Sequence, residues 1–367
     1  MKVFELKNIS NNNVGYDNMN KRILFVLGSM KRCGAERVVS ILAEQFSKEG
    51  NHVNIALLLC NEIDYQLDKA IVVNDLTTRC SRVKSIPIWL LKIRKLIKEL
   101  NPDIVISFVA RINILTQIAC IGLKKDIVVS ERNDPYCDGR GIITKVATKI
   151  LYPRSKIVVF QTKRSQNYFG KRIRKNSVII LNPVDVQVQA QNIHSKKIVN
   201  VGRLSKQKNQ KLLLEAFSDI VGRYPEYSLW IYGEGELRKE LQKKVDLLGI
   251  HDRVFFPGNV RDIHERISDA EIFILCSDYE GLSNALMEAL MMGLPCISTN
   301  CAGSDEVIEN EVNGLLVPVG DREALCAAMD RLISDEELRC KIAENAKRMS
   351  EKFRMENIIN DWLDVIV

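Results

Sequence analysis

Two successive series of short aliphatic and β-branched runs, each run followed by a helix-length stretch, constrain this chain more than any other feature. The first series is RILFVLG (22–28), HVNIALLL (52–59), DIVISFV (103–109), DIVVSER (126–132) and KIVVFQT (156–162). The second is IVNVGR (198–203), YSLWIYG (227–233), VFFPG (254–258), EIFILCS (271–277), PCIST (295–299) and GLLVPV (314–319). Runs that are apolar nearly throughout, rather than alternating, read as strands covered on both faces, the condition of a parallel sheet clad by helices. The expected fold class is α/β, with two doubly wound units of about 150–200 residues each. In such sheets ligands sit outside the carboxyl ends of the strands, so the loops that follow the strands are where chemistry belongs.

Residues 1–20 are polar, Asn-rich and without periodicity, and are expected to be a flexible leader. The first domain then spans 21–185. It ends in LNPVD (181–185), whose Asn-Pro reads as a turn, and the polar QVQAQNIHSKK that follows is linker-like. The second domain is set at 186–350, with 351–367 as a C-terminal helix expected to pack back on the first. A hydrophobic content of 46% supplies two cores and excludes bulk disorder. No apolar run approaches the ~20 residues that cross a bilayer, and the amino terminus lacks a signal-peptide pattern, so a cytoplasmic location is expected. Ten cysteines without a Cys-x-x-Cys pair read as reduced and mostly buried, and four histidines without close spacing (52, 194, 251, 264) give no zinc site.

Charge is divided unevenly. Residues 1–185 hold 31 Lys and Arg against 16 Asp and Glu, a net of +15, whereas the rest hold 22 against 30, a net of −8. A basic half points to an anionic partner, a nucleic acid or an acidic membrane surface. No cations are interleaved with stacking aromatics in a recognisable nucleic-acid module, so nucleic acid is not expected as a partner. The segment KSIPIWLLKIRKLIKEL (84–100) mixes Ile88, Trp89, Leu91, Ile93, Leu96 and Ile97 with Lys92, Arg94, Lys95 and Lys98, which suits a helix lying on an anionic membrane surface. The segment 162–175 adds six further cations.

Two stretches carry chemistry. In DYEGLSNALMEALMMGLPCIST (278–299), Ser283 is placed to cap a helix that Gly293 ends, so the amides of Ser283, Asn284 and Ala285 present a helix N-terminus to an anion such as a diphosphate. Glu280 precedes that helix. Glu288 lies inside it among Ala, Leu and Met, where a carboxylate needs a partner. In NVGRLSKQKN (200–209), a strand delivers Gly202 and Arg203 to its carboxyl end and Lys208 follows, so two cations converge on the same rim. A weaker third stretch, GSMKRCGAER (28–37), is a Gly-containing loop without the Gly-x-Gly-x-x-Gly spacing of dehydrogenases. No Asp-x-Asp occurs, so no short acidic pair is available to hold a divalent metal, and no metal or other cofactor is expected.

The ordered stretches VGRLSKQKN and EGLSNALMEALMMGLP, with CGAER near the start, resemble the retaining glycosyltransferases of family four, whose GT-B fold sets two Rossmann-like domains face to face across a cleft. The resemblance runs from residue 21 to the end of the chain. It implies that Arg203 and Lys208 hold the diphosphate of a nucleoside diphosphate sugar, and that Glu280 contacts the transferred sugar. Glu288 would bond the ribose hydroxyls. Gly202, Gly281, Leu282, Ser283 and Asn284 would line the donor site, with Gly34 opposite, and Gly233 and Val260 would lie in the loops around the base. Many members place a histidine after the strand written here DIVVSER, where this chain has Arg132 and Asn133, so those two are candidates for positioning sugar or acceptor. The SERNDP form resembles branches that build bacterial surface polysaccharides from N-acetylhexosamine donors, which implies a UDP-linked sugar. The expected activity is sugar transfer to a lipid-linked glycan by an enzyme peripheral on the inner face of the cell membrane. A nucleotide-sugar epimerase or a phosphorylase of similar architecture is the rival enzyme, and a basic nucleic-acid-binding protein the rival of another class.

Overall fold

The computed structural model describes residues 20–31, 34–78, 81–191 and 195–366. Apart from Asn20, the leader expected over 1–20 lies outside the described residues, as do Cys33, Cys80 and His194. The first series of runs forms β1 (Arg22–Leu27), β2 (His52–Leu57), β4 (Ile104–Phe108), β5 (Asp126–Ser130) and β6 (Ile157–Phe160), joined at the edges by β3 (Val72–Asp75) and β7 (Ser177–Ile179). All neighbours are parallel in the order β3-β2-β1-β4-β5-β6-β7. The second series forms β8 (Lys197–Val201), β9 (Ser228–Tyr232), β10 (Val254–Gly258), β11 (Ile272–Leu275), β12 (Cys296–Thr299) and β13 (Leu315–Val317), again all parallel, in the order β10-β9-β8-β11-β12-β13. The expected pair of doubly wound sheets is thus the observed architecture.

Each sheet is clad on both faces, and the two-residue period of a strand divides its side chains between them. In β1, Ile23, Phe25 and Leu27 enter one core with Val38, Leu42 and Phe46 of α1 (Gly34–Lys48), while Leu24 and Val26 enter the other. That second core is closed by α2 (Arg82–Leu100) and α3 (Ala110–Cys120).

Here the structure corrects the reading of 84–100 as a membrane-lying helix. Trp89, Ile93, Leu96 and Ile97 of α2 are buried in the first-domain core. Its cations serve the protein too: Lys92 Nζ donates to Thr77 O (2.8 Å), and Arg94 Nη1 donates to Ala119 O (2.8 Å) and Ile121 O (2.7 Å). A helix with an apolar stripe and a basic flank satisfies a sheet as well as a bilayer, and the strands β1 and β4 take the stripe. The cysteines also depart from expectation: Cys120, Cys276, Cys296 and Cys301 are buried, but Cys137 and Cys340 are exposed.

The described start of the linker-like segment, 186–191, is fixed rather than loose. Val186, Val188 and Ala190 pack on the second-domain core, and Ala190 N donates to Met292 O at 2.8 Å. At the other end of the chain the helix Met355–Ile366 returns to the first domain, where Ile358, Ile359, Trp362, Leu363, Val365 and Ile366 enter its core. The Trp362 ring stacks on Phe108 with centroids 5.9 Å apart, and Lys21 Nζ donates to Ile366 O at 2.7 Å. Trp362→Ala should lower the free energy of unfolding of the first domain by about 3–5 kcal/mol, the usual loss for a deleted core aromatic. Exposed Leu247, truncated to Ala in parallel, should change it by less than about 0.5 kcal/mol in the same urea titration.

Candidate functional site

The order of the second sheet places β8 beside β11, with β9 and β10 on one side and β12 and β13 on the other. Chain direction across the sheet reverses at this pair, which opens a crevice at the strand ends. The loops after β8 and β11 meet there and are stitched together: Asp278 N donates to Gln207 O (2.9 Å), Gln207 Nε2 to Tyr279 O (2.8 Å) and Asn209 Nδ2 to Asp278 Oδ1 (2.7 Å). Lys208, in the turn Lys206–Lys208, points its ammonium at Glu280 Oε1, which also accepts from Ser277 Oγ at 2.6 Å. Gly202 sits behind Lys208. Gly233, with φ of +135°, lies so close to the Gly202 carbonyl that a Cβ there would collide with it.

Ser283 caps the helix Asn284–Met292, its side chain accepting from Leu286 N at 3.4 Å. The helix start faces the first domain: a Cβ on Gly34 would stand 3.9 Å from Asn284 Nδ2. At Gly281 the domains lie in close contact, since a side chain at that position would meet the Arg132 carbonyl and the Gln161 side chain. Leu282 is buried in the second-domain core, and Val260 packs half-buried against the same core.

Glu288 is buried, and its partners come from both domains. Oε1 is ion-paired with Arg37 Nη1 of α1, while His264 Nε2 stands 3.3 Å from Oε2 without an aligned hydrogen bond. The neighbouring residue of α1, Glu36, accepts from Ser29 Oγ at 3.3 Å and feels the charge of Arg203. Of the charged residues in the CGAER stretch, Arg37 therefore crosses the cleft to the candidate donor-site residue Glu288, and Glu36 lies within the field of Arg203. The resemblance singles out Gly34 in this stretch, and nothing in the sequence marks Glu36 and Arg37 as facing the other domain. Nothing in the sequence singles out His264, which reaches Glu288 only through the fold of its own domain.

Arg132 does not project into the crevice as the sugar-positioning reading requires. Its guanidinium lies over the rings of Phe108 (4.7 Å) and Trp362 (5.5 Å), its Nη1 donates to Asn182 Oδ1 (2.8 Å), and burial pushes its pKa down to about 9. Asn133 is exposed beside it. Among the described residues no group of three or more His, Cys, Asp or Glu gathers as a metal site.

Residues 184–349 match the family of glycosyl transferases group 1. A GalNAc-alpha-(1->4)-GalNAc-alpha-(1->3)-diNAcBac-PP-undecaprenol alpha-1,4-N-acetyl-D-galactosaminyltransferase of Campylobacter jejuni is 29% identical over 357 residues, covering 94% of this chain and 98% of that one. From the same organism, an N-acetylgalactosamine-N,N'-diacetylbacillosaminyl-diphospho-undecaprenol 4-alpha-N-acetylgalactosaminyltransferase is 25% identical over 374 residues, covering 95% and 100%. Among solved structures, Anabaena Alr3699/HepE in complex with UDP has the same fold, with a TM-score of 0.83 at 20% identity over 94% of this chain and 99% of that one. The second domain thus matches the group 1 glycosyl transferases, and the whole chain has the two-domain fold of the Anabaena structure.

Glu36 gives this site a pH signature. Burial holds its carboxyl above the usual carboxylate range, against the opposing hydrogen bonds and the Arg203 charge. The folded chain thus binds this proton more tightly than the unfolded chain, and the associated stability is present below the unfolded carboxyl pKa and lost as pH rises through the folded value. Glu36→Gln, which mimics the protonated side chain, should melt above wild type at neutral pH, and the difference should close as the pH falls through the raised Glu36 value. An offset that stays constant across that window contradicts the assignment.

Proposed function

We propose that the chain transfers a sugar, an N-acetylhexosamine, from a nucleoside diphosphate donor with uridine as its base to a lipid-linked glycan, with retention of anomeric configuration. The observation that carries this reading is the convergence at one crevice of a helix N-terminus, the cations Arg203 and Lys208, and the carboxylates Glu280 and Glu288. A diphosphate needs fixed positive charge, and the sugar and ribose on either side of it need hydroxyl acceptors. Groups of both kinds line this crevice, which supports the reading. The Campylobacter relatives act, by their names, on diphospho-undecaprenol glycans, and the Anabaena structure holds UDP. Both support the proposed acceptor and donor classes.

In this reading Arg203, Lys208 and the amides at Ser283 and Asn284 stabilise the charge that develops on the departing diphosphate, a contribution that preorganised donors supply without reorganisation. The bond from the anomeric carbon to the diphosphate oxygen breaks, the acceptor hydroxyl oxygen bonds to the same carbon on the same face, and its proton passes to the leaving diphosphate. Glu288 accepts the ribose hydroxyls in place of its Arg37 and His264 contacts. Glu280 contacts the transferred sugar. The enzyme works at the inner face of the cell membrane, where an anionic bilayer presents the acceptor.

Isothermal titration with UDP and turnover assays with the donor separate the two carboxylates. Glu288→Ala should weaken UDP binding about tenfold or more, through lost hydrogen bonds to ribose. Glu280→Ala should bind UDP nearly as wild type and lose turnover instead. Near-wild-type behaviour of both variants contradicts the roles.

We also propose that transfer needs no divalent metal, the positive field coming from Arg203, Lys208 and the helix N-terminus. Chelator should leave the rate within about twofold, and Arg203→Ala should cost about 2–4 kcal/mol of transition-state stabilisation. A rate abolished by chelator and restored by magnesium or manganese contradicts this.

A further inference from the structure

With α2 committed to the core, the basic half of the molecule has a different element turned to solvent. The helix α4 (Ile142–Leu151) exposes Ile142 (74%), Ile143 (82%), Val146 (49%) and Ile150 (56%). At 100° per residue these four fall within an arc of about 100°, one continuous apolar stripe. Lys145 and Lys149, both exposed, flank one side of the stripe, while Thr148 and Leu151 on the opposite side are buried against the domain. An ordinary surface helix has the reverse arrangement, apolar side inward and charge outward.

The surroundings select what covers this stripe. From Gly139 to Val184 the sequence contains no Asp or Glu and eleven Lys and Arg, so the face around α4 is positive. A second copy of this chain presenting the same face would bring like charges together. An anionic bilayer meets both demands: isoleucines enter the headgroup boundary while lysines beside them reach the phosphates. The placement also suits the reaction. α4 begins one loop after the carboxyl end of β5, the loop whose Arg132 carbonyl lies against Gly281, so Ile142 and Ile143 stand on the cleft side of the domain. That loop is held from within: Arg140 Nη2 donates to Glu131 Oε2 (2.8 Å) and Asp138 Oδ2 (2.6 Å), and Glu131 is bonded to Tyr152 at the far end of α4. The helix is a firm part of the domain rather than a swinging arm.

We propose that α4 is the membrane-docking surface of this enzyme, seating Ile142, Ile143, Val146 and Ile150 in an anionic bilayer with Lys145 and Lys149 on its phosphates. The inference rests on the membrane-linked acceptor of the proposed function and adds the element that makes the contact. Flotation with vesicles of phosphatidylglycerol and phosphatidylcholine, against phosphatidylcholine alone, tests it on the full chain. Wild type should float with the anionic vesicles, and less so in high salt. The triple variant Ile143→Ser, Val146→Ser, Ile150→Ser should lose about tenfold or more in partitioning, about 1.4 kcal/mol or more. A control on α2, Leu91→Ser with Lys95→Gln and Lys98→Gln, should float as wild type. Ile143→Trp should shift its emission to the blue only when anionic vesicles are added. The inference is overturned if the triple variant floats as wild type, if wild type ignores anionic vesicles, or if the triple variant changes sedimentation from dimer to monomer, which assigns the face to a second copy. UDP binding and transfer to a short-chain soluble acceptor, measured on the same variants, should be unaltered; their absence in wild type counts against the transferase reading and leaves the flotation result to be judged separately.

Discussion

One buried side chain joins the parts of the site. Asn182, from the Asn-Pro turn at the domain junction, accepts from Arg132 Nη1 at 2.8 Å and donates through Nδ2 to Leu282 O (3.3 Å) and Asn284 Oδ1 (2.5 Å). It thereby links the end of β5, the crossover and the loop that opens the helix Asn284–Met292. A buried amide with these partners has little freedom to turn, because any unpaired group there costs about 1–3 kcal/mol. The glycine at 281 lets the two domains approach closely enough for those bonds to form.

The Arg37–Glu288 ion pair at the cleft depends on that approach. Arg37 belongs to the first helix of one domain and Glu288 to a helix of the other, and they meet across the seam that is tight between Arg132 and Gly281. Glu288 answers the requirement that a carboxylate in an apolar helix have a partner, although the partners, Arg37 and His264, come from opposite sides of the cleft. Donor hydroxyls replacing them would exchange contacts between domains for contacts through the ligand.

Much of this was legible in the residues. All six strands of the second sheet coincide with apolar runs visible in the sequence, and the capping Ser283, the terminating Gly293 and the Lys208–Glu280 neighbourhood follow from spacing and loop position. The short edge strands β3 and β7 were not, because VVND and SVI are too brief and too polar at their ends to stand out from loops. The α2 stripe was misjudged for a more general reason: an apolar-basic pattern states that a helix has two sides, not which apolar medium receives one of them. α4 escaped notice because its second apolar side looks like surplus core until the exposures are known. The direction of Arg132 is likewise invisible in sequence, since it is set by Phe108 and by Trp362, a residue 230 positions away.

The return of the helix Met355–Ile366 has a mechanical consequence. The chain crosses between domains twice, near residues 184 and 354, and the two crossings lie side by side, joined by a parallel bridge between Val184 and Arg354. Two adjacent attachments on one line act as a two-pin hinge: they suppress sliding and twisting and leave rotation about that line as the soft degree of freedom. Opening of the cleft is thereby reduced to a single angle. As that angle opens, the bond from Lys163 N to Glu306 and the pair between Arg37 and Glu288, both spanning the gap, are lost in one motion.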